Sequence, residues 1–172
     1  MLIEFEKMNE QEMYRMVREV YLEGCIENAR EKYPEREDLT EAIREEEDYF
    51  VGFLKRFMGN EKNRYYVWEA DGKWVSALRL TKLDGFYYLE ALETAPEHRR
   101  NGYAETLINE VISSLKKRGQ AVIRSNVNKS NAASLATHKK CGFRIELENG
   151  VNCLTGEERD YVYGMIYEGE SK

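Results

Sequence analysis

A short basic loop carries the residues best suited to chemistry in this chain. It reads His98-Arg99-Arg100-Asn101-Gly102 and lies between a strand-like run and a long amphipathic helix. Backbone N–H groups at the start of a helix lack internal partners and favour an anion. The two arginines add positive charge, and Gly102 would let a bulky ligand approach the backbone. The loop is therefore a candidate phosphate site, although a tight turn that happens to be basic would look the same.

The elements on either side of this loop are indicated by their hydrophobic patterns. The run from Phe86 to Thr94 has strand character and breaks at Ala95-Pro96, because proline cannot donate a hydrogen bond to a β-ladder. After the loop, apolar residues recur from Ala104 at offsets of three, four, seven, eight and eleven, which predicts a helix. Gly119 follows Lys116-Lys117-Arg118 and is a typical helix stop.

The rest of the chain alternates between strand and helical periods. We predict strands at 2–7, 65–70, 74–83, 86–94, 121–127, 143–148 and 160–168, and helices that begin near 9, 38, 104 and 131. Asp71-Gly72 and Asp84-Gly85 are strong hairpin signals, so residues 64–94 should form a three-stranded antiparallel meander. The strand–helix–strand unit that follows should pair its two strands in parallel. No repeat or linker is visible, which favours one α/β domain over residues 1–172.

The distribution of charge narrows the function classes. The 172 residues carry a formal net charge of −6, but residues 96–144 hold ten Lys/Arg and three Asp/Glu. A basic segment in an acidic protein suits a polyanionic cofactor and a cationic second substrate, and argues against a broad nucleic-acid surface.

Other function classes are excluded by what the sequence lacks. Three cysteines show neither paired metal spacing nor the even count of a disulfide framework, so we expect free thiols. No apolar run approaches the roughly 20 residues of a membrane span, and the acidic N-terminus is unlike a signal peptide. These features predict a cytoplasmic protein with no membrane partner and no metal.

Two stretches resemble the signatures of the GNAT N-acetyltransferase superfamily. Pro96-x-x-Arg99-x-x-Gly102-x-Ala104 is similar to the acyl-CoA-binding pattern Gln/Arg-x-x-Gly-x-Gly/Ala. Residues 131–143 resemble Asn-x-x-Ala-x-x-Leu-Tyr-x-Lys-x-Gly-Phe. They match it at Asn131, Lys140, Gly142 and Phe143. The two signatures occur in the family's order, and the resemblance covers nearly the whole chain.

The resemblance implies a fold and a cofactor. The fold would be a mixed, mostly antiparallel sheet with helices on both faces, in which the strands at 86–94 and 121–127 splay apart to hold acetyl-CoA. The cofactor region would be 86–143, and the amine acceptor would enter under the helices at 9–60. Backbone groups would bind pantetheine and pyrophosphate. The implied cofactor contacts are Leu92, Glu93, Thr94, Arg99, Arg100, Asn101, Gly102, Tyr103, Ala104, Asn131, Ser134 and His138.

His138 departs from the family pattern, which commonly has a tyrosine that protonates the leaving thiolate. The sequence places His138 on one helix face with Asn131 and Ser134. With an unperturbed pKa of about 6.5, a histidine is largely neutral at neutral pH and a poor acid. His138 is either the acid or a helix-face residue; the thiolate could also leave unassisted, or another tyrosine could substitute. If His138 is the acid, His138→Phe should lower turnover at least about ten-fold.

A base must take a proton from the ammonium nucleophile, directly or through water. Glu90 and Glu93 lie on the predicted cofactor strand, where alternation should point them to opposite faces. Either is a candidate. Glu90 is favoured because Leu92 and Thr94 would share its face, beside the expected reaction centre.

These observations predict an enzyme that moves an acetyl group from acetyl-CoA to a primary amine by direct attack in a ternary complex. The alternative is a non-catalytic acyl-CoA-binding sensor or assembly module. A generic nucleotide-binding domain is disfavoured, since no Gly-Lys-Ser/Thr follows a glycine loop and no Gly-x-Gly-x-x-Gly occurs.

The acceptor stays open on sequence alone. The acidic turn Glu45–Asp48 and the tyrosine-rich strands would suit a small cationic amine, such as a polyamine or an aminoglycoside. The same residues would serve as a solvated helix face and as ordinary sheet residues. A peptide N-terminus or a lysine side chain is the other acceptor class. The resemblance also allows a homodimer formed through sheet edges.

Overall fold

The structure, a computed structural model, describes residues 1–119 and 122–169. Within these residues, seven strands form one sheet in the order β1-β2-β3-β4-β5-β9-β6, and β7 and β8 form a separate ribbon. The strands are β1 (Leu2–Phe5), β2 (Asn63–Ala70), β3 (Lys73–Lys82), β4 (Tyr87–Thr94), β5 (Val122–Asn128), β6 (Arg144–Leu147), β7 (Gly150–Val151), β8 (Glu158–Arg159) and β9 (Val162–Glu168). Adjacent strands pair antiparallel except β4 and β5, which are parallel. The predicted meander and parallel pair are confirmed.

Four helices begin close to the predicted positions, whereas Leu22–Lys32, which follows the first helix after a π-helical turn, was not predicted as a separate helix. The helices are α1 (Glu10–Met16), α2 (Leu22–Lys32), α3 (Thr40–Met58), α4 (Tyr103–Lys117) and α5 (Ala132–Lys140), with a π-helical turn at Val17–Tyr21 and a 3₁₀ turn at Pro96–His98. Asn9 forms the predicted capping box: its side chain accepts from the Glu12 N–H at 2.9 Å, and the Glu12 carboxylate accepts from the Asn9 N–H at 2.8 Å. The strand predicted to begin at Ala121 is described only from Val122 onward, and Ala121 lies outside the described residues.

The sheet separates two hydrophobic cores. One core packs α1, the π-helical turn, α2 and α3 against one face, and includes Val17, Leu54, Tyr65 and Ala77. The other packs α4 and the end of α5 against the opposite face. Burying a large apolar side chain stabilises a fold by about 1.5–3 kcal/mol, so both layers are held by many such residues. No helix among the described residues is long and apolar enough to cross a membrane.

A β-bulge in β4 changes which side chains face which core. Ala77 pairs with Glu93 and Arg79 pairs with Glu90, so the one intervening residue of β3 lies opposite two residues of β4, and the register shifts. Ala91 has a φ of 52°, in the left-handed region that non-glycine residues rarely adopt. The extra residue restarts the alternation of side chains.

The bulge corrects the predicted directions of the two glutamates. Cross-strand partners share a face, and Ala77 and Arg79 lie two apart on β3. Glu90 and Glu93 therefore both point toward α1–α3, where strict alternation predicted opposite faces. Leu92 packs instead in the core on the α4 side. The argument that favoured Glu90 by a face shared with Leu92 is therefore wrong.

The parallel pair is short, and this opens the sheet. Tyr87–Leu89 of β4 pair with 123–125 of β5, whereas β5 pairs with β9 from Val122 to Asn128. In the part of the chain that the structure describes, residues 90–94 have no partner strand on the β5 side. The two strands thus separate just before the bulge, as expected for a splayed pair.

Candidate functional site

A groove of about 860 Å³ lies at the open end of β4, beside the basic loop and α5. We call it the loop groove. Most of the predicted cofactor residues line it: Leu92, Glu93, Thr94, Arg99, Arg100, Gly102, Tyr103, Ala104, Asn131 and Ser134. Asn101 and His138 are not among its lining residues. The structure therefore brings both sequence signatures to one cavity.

The basic loop presents the start of α4 to this groove. Gly102 is the N-cap residue, with a φ of 75° that glycine adopts without steric cost. The first helical hydrogen bond runs from the Thr106 N–H to the Gly102 carbonyl at 2.9 Å. The backbone N–H groups that precede Thr106 therefore do not donate within the helix. Asn101 holds the loop from within, since its amide donates to the carbonyls of His98 at 3.0 Å and Arg99 at 3.2 Å. This geometry suits an anion.

Asn131 and Ser134 form the opposite wall of the loop groove. The Asn131 side-chain oxygen accepts from the Ser134 N–H at 3.0 Å and thereby caps α5. The Asn131 side chain, which is predicted to contact the ligand, thus also stabilises the start of α5.

The Arg99 side chain turns back along β4. Its Nε donates to the Thr94 carbonyl at 3.0 Å, and its Nη2 donates to the Glu93 carboxylate at 3.0 Å. The same guanidinium also pairs with the carboxylate of Glu23 on α2. Arg99 therefore cross-links the loop, the strand and the helical layer, while Arg100 stays exposed in the groove.

A second cavity, of about 260 Å³, lies on the other face of the sheet between α2, α3 and β4. We call it the aromatic cavity. Four rings line it: Tyr21, Tyr49, Phe50 and Phe53. Three carboxylates also line it: Glu23, Glu46 and Glu93. Cations interact favourably with aromatic faces and carboxylates, so the cavity suits a positively charged group.

One cation, Arg79, also lines the aromatic cavity. Its guanidinium lies over the rings of Phe53 and Phe57, at 4.7 and 5.4 Å from their centres. Glu90 pairs with Arg79 at 3.5 Å, and both side chains are mostly buried. Glu90 is therefore occupied in balancing Arg79, and it lines neither cavity.

Glu93 is the residue that the two cavities share among the lining residues described. Its side chain is 39% exposed and reaches the aromatic cavity, while its strand forms the wall of the loop groove. The bulge produces this position, because it turns Glu93 toward α2 and α3. A group transferred between ligands of the two cavities would pass beside this carboxylate.

The structure buries His138, contrary to the helix face predicted for it. Its side chain is 1% exposed and packs edge-on against Phe143, with ring centres 5.1 Å apart. Nδ1 donates to the Ser134 carbonyl at 2.8 Å, and burial lowers the pKa of the imidazole. Thr137 and Lys140, on either side of it in sequence, line the loop groove instead. The physical reason is that position 138 lies on the side of α5 that faces the hydrophobic core beneath α4.

Sequence reasoning missed three residues of the aromatic cavity. Tyr21 continued an apolar helix stripe, which indicated only core packing, and Arg79 lay in an ordinary strand pattern. Glu23 follows the end of the apolar helix stripe, and nothing in the neighbouring sequence indicated a functional role for it. The acidic turn at 45–48 was the useful signal, since Glu46 does line the cavity.

Comparison with known proteins identifies the family. Residues 18–143 match the model of the Acetyltransferase (GNAT) family, so the chain belongs to that family. A spermidine N(1)-acetyltransferase from Thermoplasma acidophilum is 26% identical over 132 residues, which cover 76% of this chain and 74% of that protein.

Solved structures agree in fold. The PaiA N-acetyltransferase of Thermoplasma acidophilum, in complex with coenzyme A, has a TM-score of 0.64 at 17% identity and covers 98% of this chain and 99% of that one. The ribosomal-protein-S18-alanine N-acetyltransferase of Escherichia coli has a TM-score of 0.61 at 16% identity, with 100% and 97% covered. The predicted fold class and the N-acetyltransferase class are confirmed, which favours an enzyme over a non-catalytic binding module.

Because His138 is buried, the stability of the protein should depend on pH. The pKa of His138 is lower in the folded protein than the unfolded value of about 6.5, so the unfolded state binds the proton first as the pH falls. We expect the free energy of unfolding to decrease below about pH 6.5, and His138→Phe to flatten this decrease. Urea denaturation between pH 7.5 and about pH 5 measures both slopes.

The other histidine of the chain provides the control. His98→Gln should retain the wild-type slope. Because His138 is buried away from the loop groove, His138→Phe should also retain most of its turnover, in contrast to the loss expected of a catalytic acid. A wild-type slope in His138→Phe, or a turnover lowered beyond its effect on stability, would contradict the structural role.

Proposed function

We propose that the loop groove binds acetyl-CoA, that the aromatic cavity binds a small cationic primary amine, and that acetyl transfer occurs between them beside Glu93. The observation that carries this proposal is the position of Glu93, which lines both cavities. The transfer is direct, from thioester to amine, with both substrates bound at once.

The cofactor placement follows from the polar groups of the loop groove. The backbone N–H groups from Arg99 to Ala104, with the Arg100 side chain, would hold the pyrophosphate. Pantetheine would extend into the gap beside Leu92 and Thr94, where none of the described strands pairs with β4 on its β5 side. Asn131 and Ser134 would contact the arm from α5.

The acceptor class follows from the charge and surface of the aromatic cavity. Three carboxylates line it, and Arg79, the one cation among its described lining residues, is paired with Glu90. Glu23 and Glu93 pair with Arg99, and Glu46 pairs with Lys32. A cationic acceptor would therefore replace these cations at the carboxylates. A polyamine has ammonium groups for the carboxylates and methylene segments for the rings. The relative named as a spermidine N(1)-acetyltransferase supports this choice. A peptide N-terminus, the acceptor class suggested by the name of the Escherichia coli protein, is the competing choice.

Glu93 is the proposed base, directly or through one water. An alkylammonium like that of lysine has a pKa of about 10.4, so its proton must leave before nitrogen attacks. The amine nitrogen then forms a bond to the thioester carbon, and the tetrahedral intermediate expels the thiolate of coenzyme A. The nitrogen loses its second proton to this thiolate or to water, which leaves the neutral amide. A thiol pKa of about 8.5 lets this thiolate leave without an acid, so the step does not require His138.

The test is amine-dependent release of the coenzyme A thiol. Polyamines, aminoglycosides, amino acids and short peptides are each mixed with acetyl-CoA and the protein, against protein alone as background. We expect release with polyamines and little release with peptides. Release with peptides alone would contradict the acceptor class, and no release with any amine, together with no binding of coenzyme A by calorimetry, would contradict the proposed function.

Glu93→Gln should remove the proposed base while keeping the size of the side chain. We expect turnover to fall about 100-fold or more, with the low-pH limb of the rate profile lost. Coenzyme A affinity should change little, because the Glu93 carboxylate is not one of the groups proposed to hold the cofactor.

Two matched variants decide between the glutamates. Glu97→Gln changes an exposed carboxylate on the neighbouring 3₁₀ turn and should behave as wild type. Glu90→Gln should lower stability through Arg79 and keep the low-pH limb. If Glu90→Gln loses that limb and Glu93→Gln keeps it, the base is Glu90.

Glu23→Gln should weaken binding of the acceptor. Hydrogen bonds to charged groups contribute about 1.5–3 kcal/mol, so we expect the KM of the cationic amine to rise about ten-fold or more. The KM of acetyl-CoA should change less, and the matched control Glu27→Gln, exposed on the same helix, should leave both unchanged. An unchanged amine KM in steady-state kinetics would remove Glu23 from acceptor recognition.

A further inference from the structure

The bulge at Ala91 is an unfavourable backbone conformation that something must hold. A φ of 52° places an alanine in the left-handed region, which is unfavourable for a residue with a Cβ. A strand free to relax would lose the extra residue and restore regular pairing. Such a one-residue shift would turn Glu93 to the opposite face.

A hydrogen bond from the helical layer meets the bulge at this residue. The Tyr21 hydroxyl donates to the Ala91 carbonyl at 2.6 Å. Tyr21 is 8% exposed, with its ring stacked on Phe50 at 5.0 Å and edge-on to Tyr65 at 6.3 Å. Burial also raises the pKa of the Tyr21 hydroxyl well above its usual value, so the donor proton is retained at neutral pH.

The helix that carries Tyr21 departs from α geometry at this point. Residues Val17–Tyr21 form a π-helical turn between α1 and α2, and Tyr21 is its last residue. Single π-turns are rare and occur frequently at functional sites. Here the turn delivers Tyr21 to the wall of the aromatic cavity with its hydroxyl on β4.

We propose that Tyr21 is a positioning residue for the transfer reaction, whose hydroxyl holds Ala91 in the bulge and thereby fixes where Glu93 and the open half of β4 lie. This inference rests on the proposed function for the placement of the two substrates. It links the acceptor side to the cofactor side through one side chain, because the Tyr21 ring lines the aromatic cavity and its hydroxyl bonds the strand that borders the loop groove.

The test combines two substitutions at the two ends of this hydrogen bond. Tyr21→Phe removes the hydroxyl and keeps the ring. Ala91→Gly removes the Cβ that makes a positive φ unfavourable, so the bulge should then need less support. The control is Tyr66→Phe, another buried tyrosine, whose hydroxyl donates to Glu4 at 3.1 Å.

We expect Tyr21→Phe to lower kcat about ten-fold in the alanine background, the effect of losing one hydrogen bond that acts on the transition state. In the Ala91→Gly background the same substitution should cost about three-fold or less, so the two changes are not additive. The Kd of coenzyme A, measured by calorimetry without an amine, should likewise be raised more by Tyr21→Phe in the alanine background than in the Ala91→Gly background. Tyr66→Phe should keep wild-type kcat and Kd.

An equal loss of kcat from Tyr21→Phe in both backgrounds would overturn the inference, as would a loss no greater than that of Tyr66→Phe. Thermal denaturation of each variant separates a general loss of folding from this local effect. If the wild type binds coenzyme A but releases no thiol with any amine, the proposed transfer between the two cavities fails. The coenzyme A Kd then still tests Tyr21, since equal Kd values for wild type and Tyr21→Phe would overturn its positioning role independently.

Discussion

The left-handed backbone at Ala91 divides β4 into two halves with different surroundings. Up to Leu89 the strand pairs on both sides, and beyond the bulge it pairs with β3 alone among the described strands. The same extra residue directs Glu93 into the aromatic cavity. Both cavities therefore depend on one conformation, whose cost of about 1–3 kcal/mol is offset by surrounding contacts such as the Tyr21 hydroxyl.

The division of charge follows the division of the strand. The basic loop and the start of α4 favour a polyanion on one side, and the carboxylates of the aromatic cavity favour a cation on the other. Arg99 spans the boundary, since its guanidinium binds both Glu93 and Glu23. A cationic acceptor would compete with Arg99 for these carboxylates. Without a bound amine, Arg99 partly neutralises the negative charge of both.

Features set by local residue chemistry were predictable from the sequence. The Asp-Gly hairpins, the Asn9 capping box and the glycine before α4 each depend on residues close in the chain. The bulge was not predictable, because Ala91 has no side-chain preference for a positive φ and is held by Tyr21, 70 residues away. His138 has the same helical spacing as Asn131 and Ser134, but spacing alone does not determine which residues of a short helix are buried. The aromatic cavity likewise brings together α2, α3 and β4, which no local pattern relates.

The most direct measurement of this account is a crystal structure of the protein with coenzyme A. The account predicts the pyrophosphate on the backbone N–H groups of residues 99–104 and pantetheine in the gap beside residues 90–94. It also predicts a positive φ at Ala91 and the coenzyme A sulfur at the junction marked by Glu93. Coenzyme A bound away from β4, or a regular β4 with Glu93 turned toward α4, would contradict it.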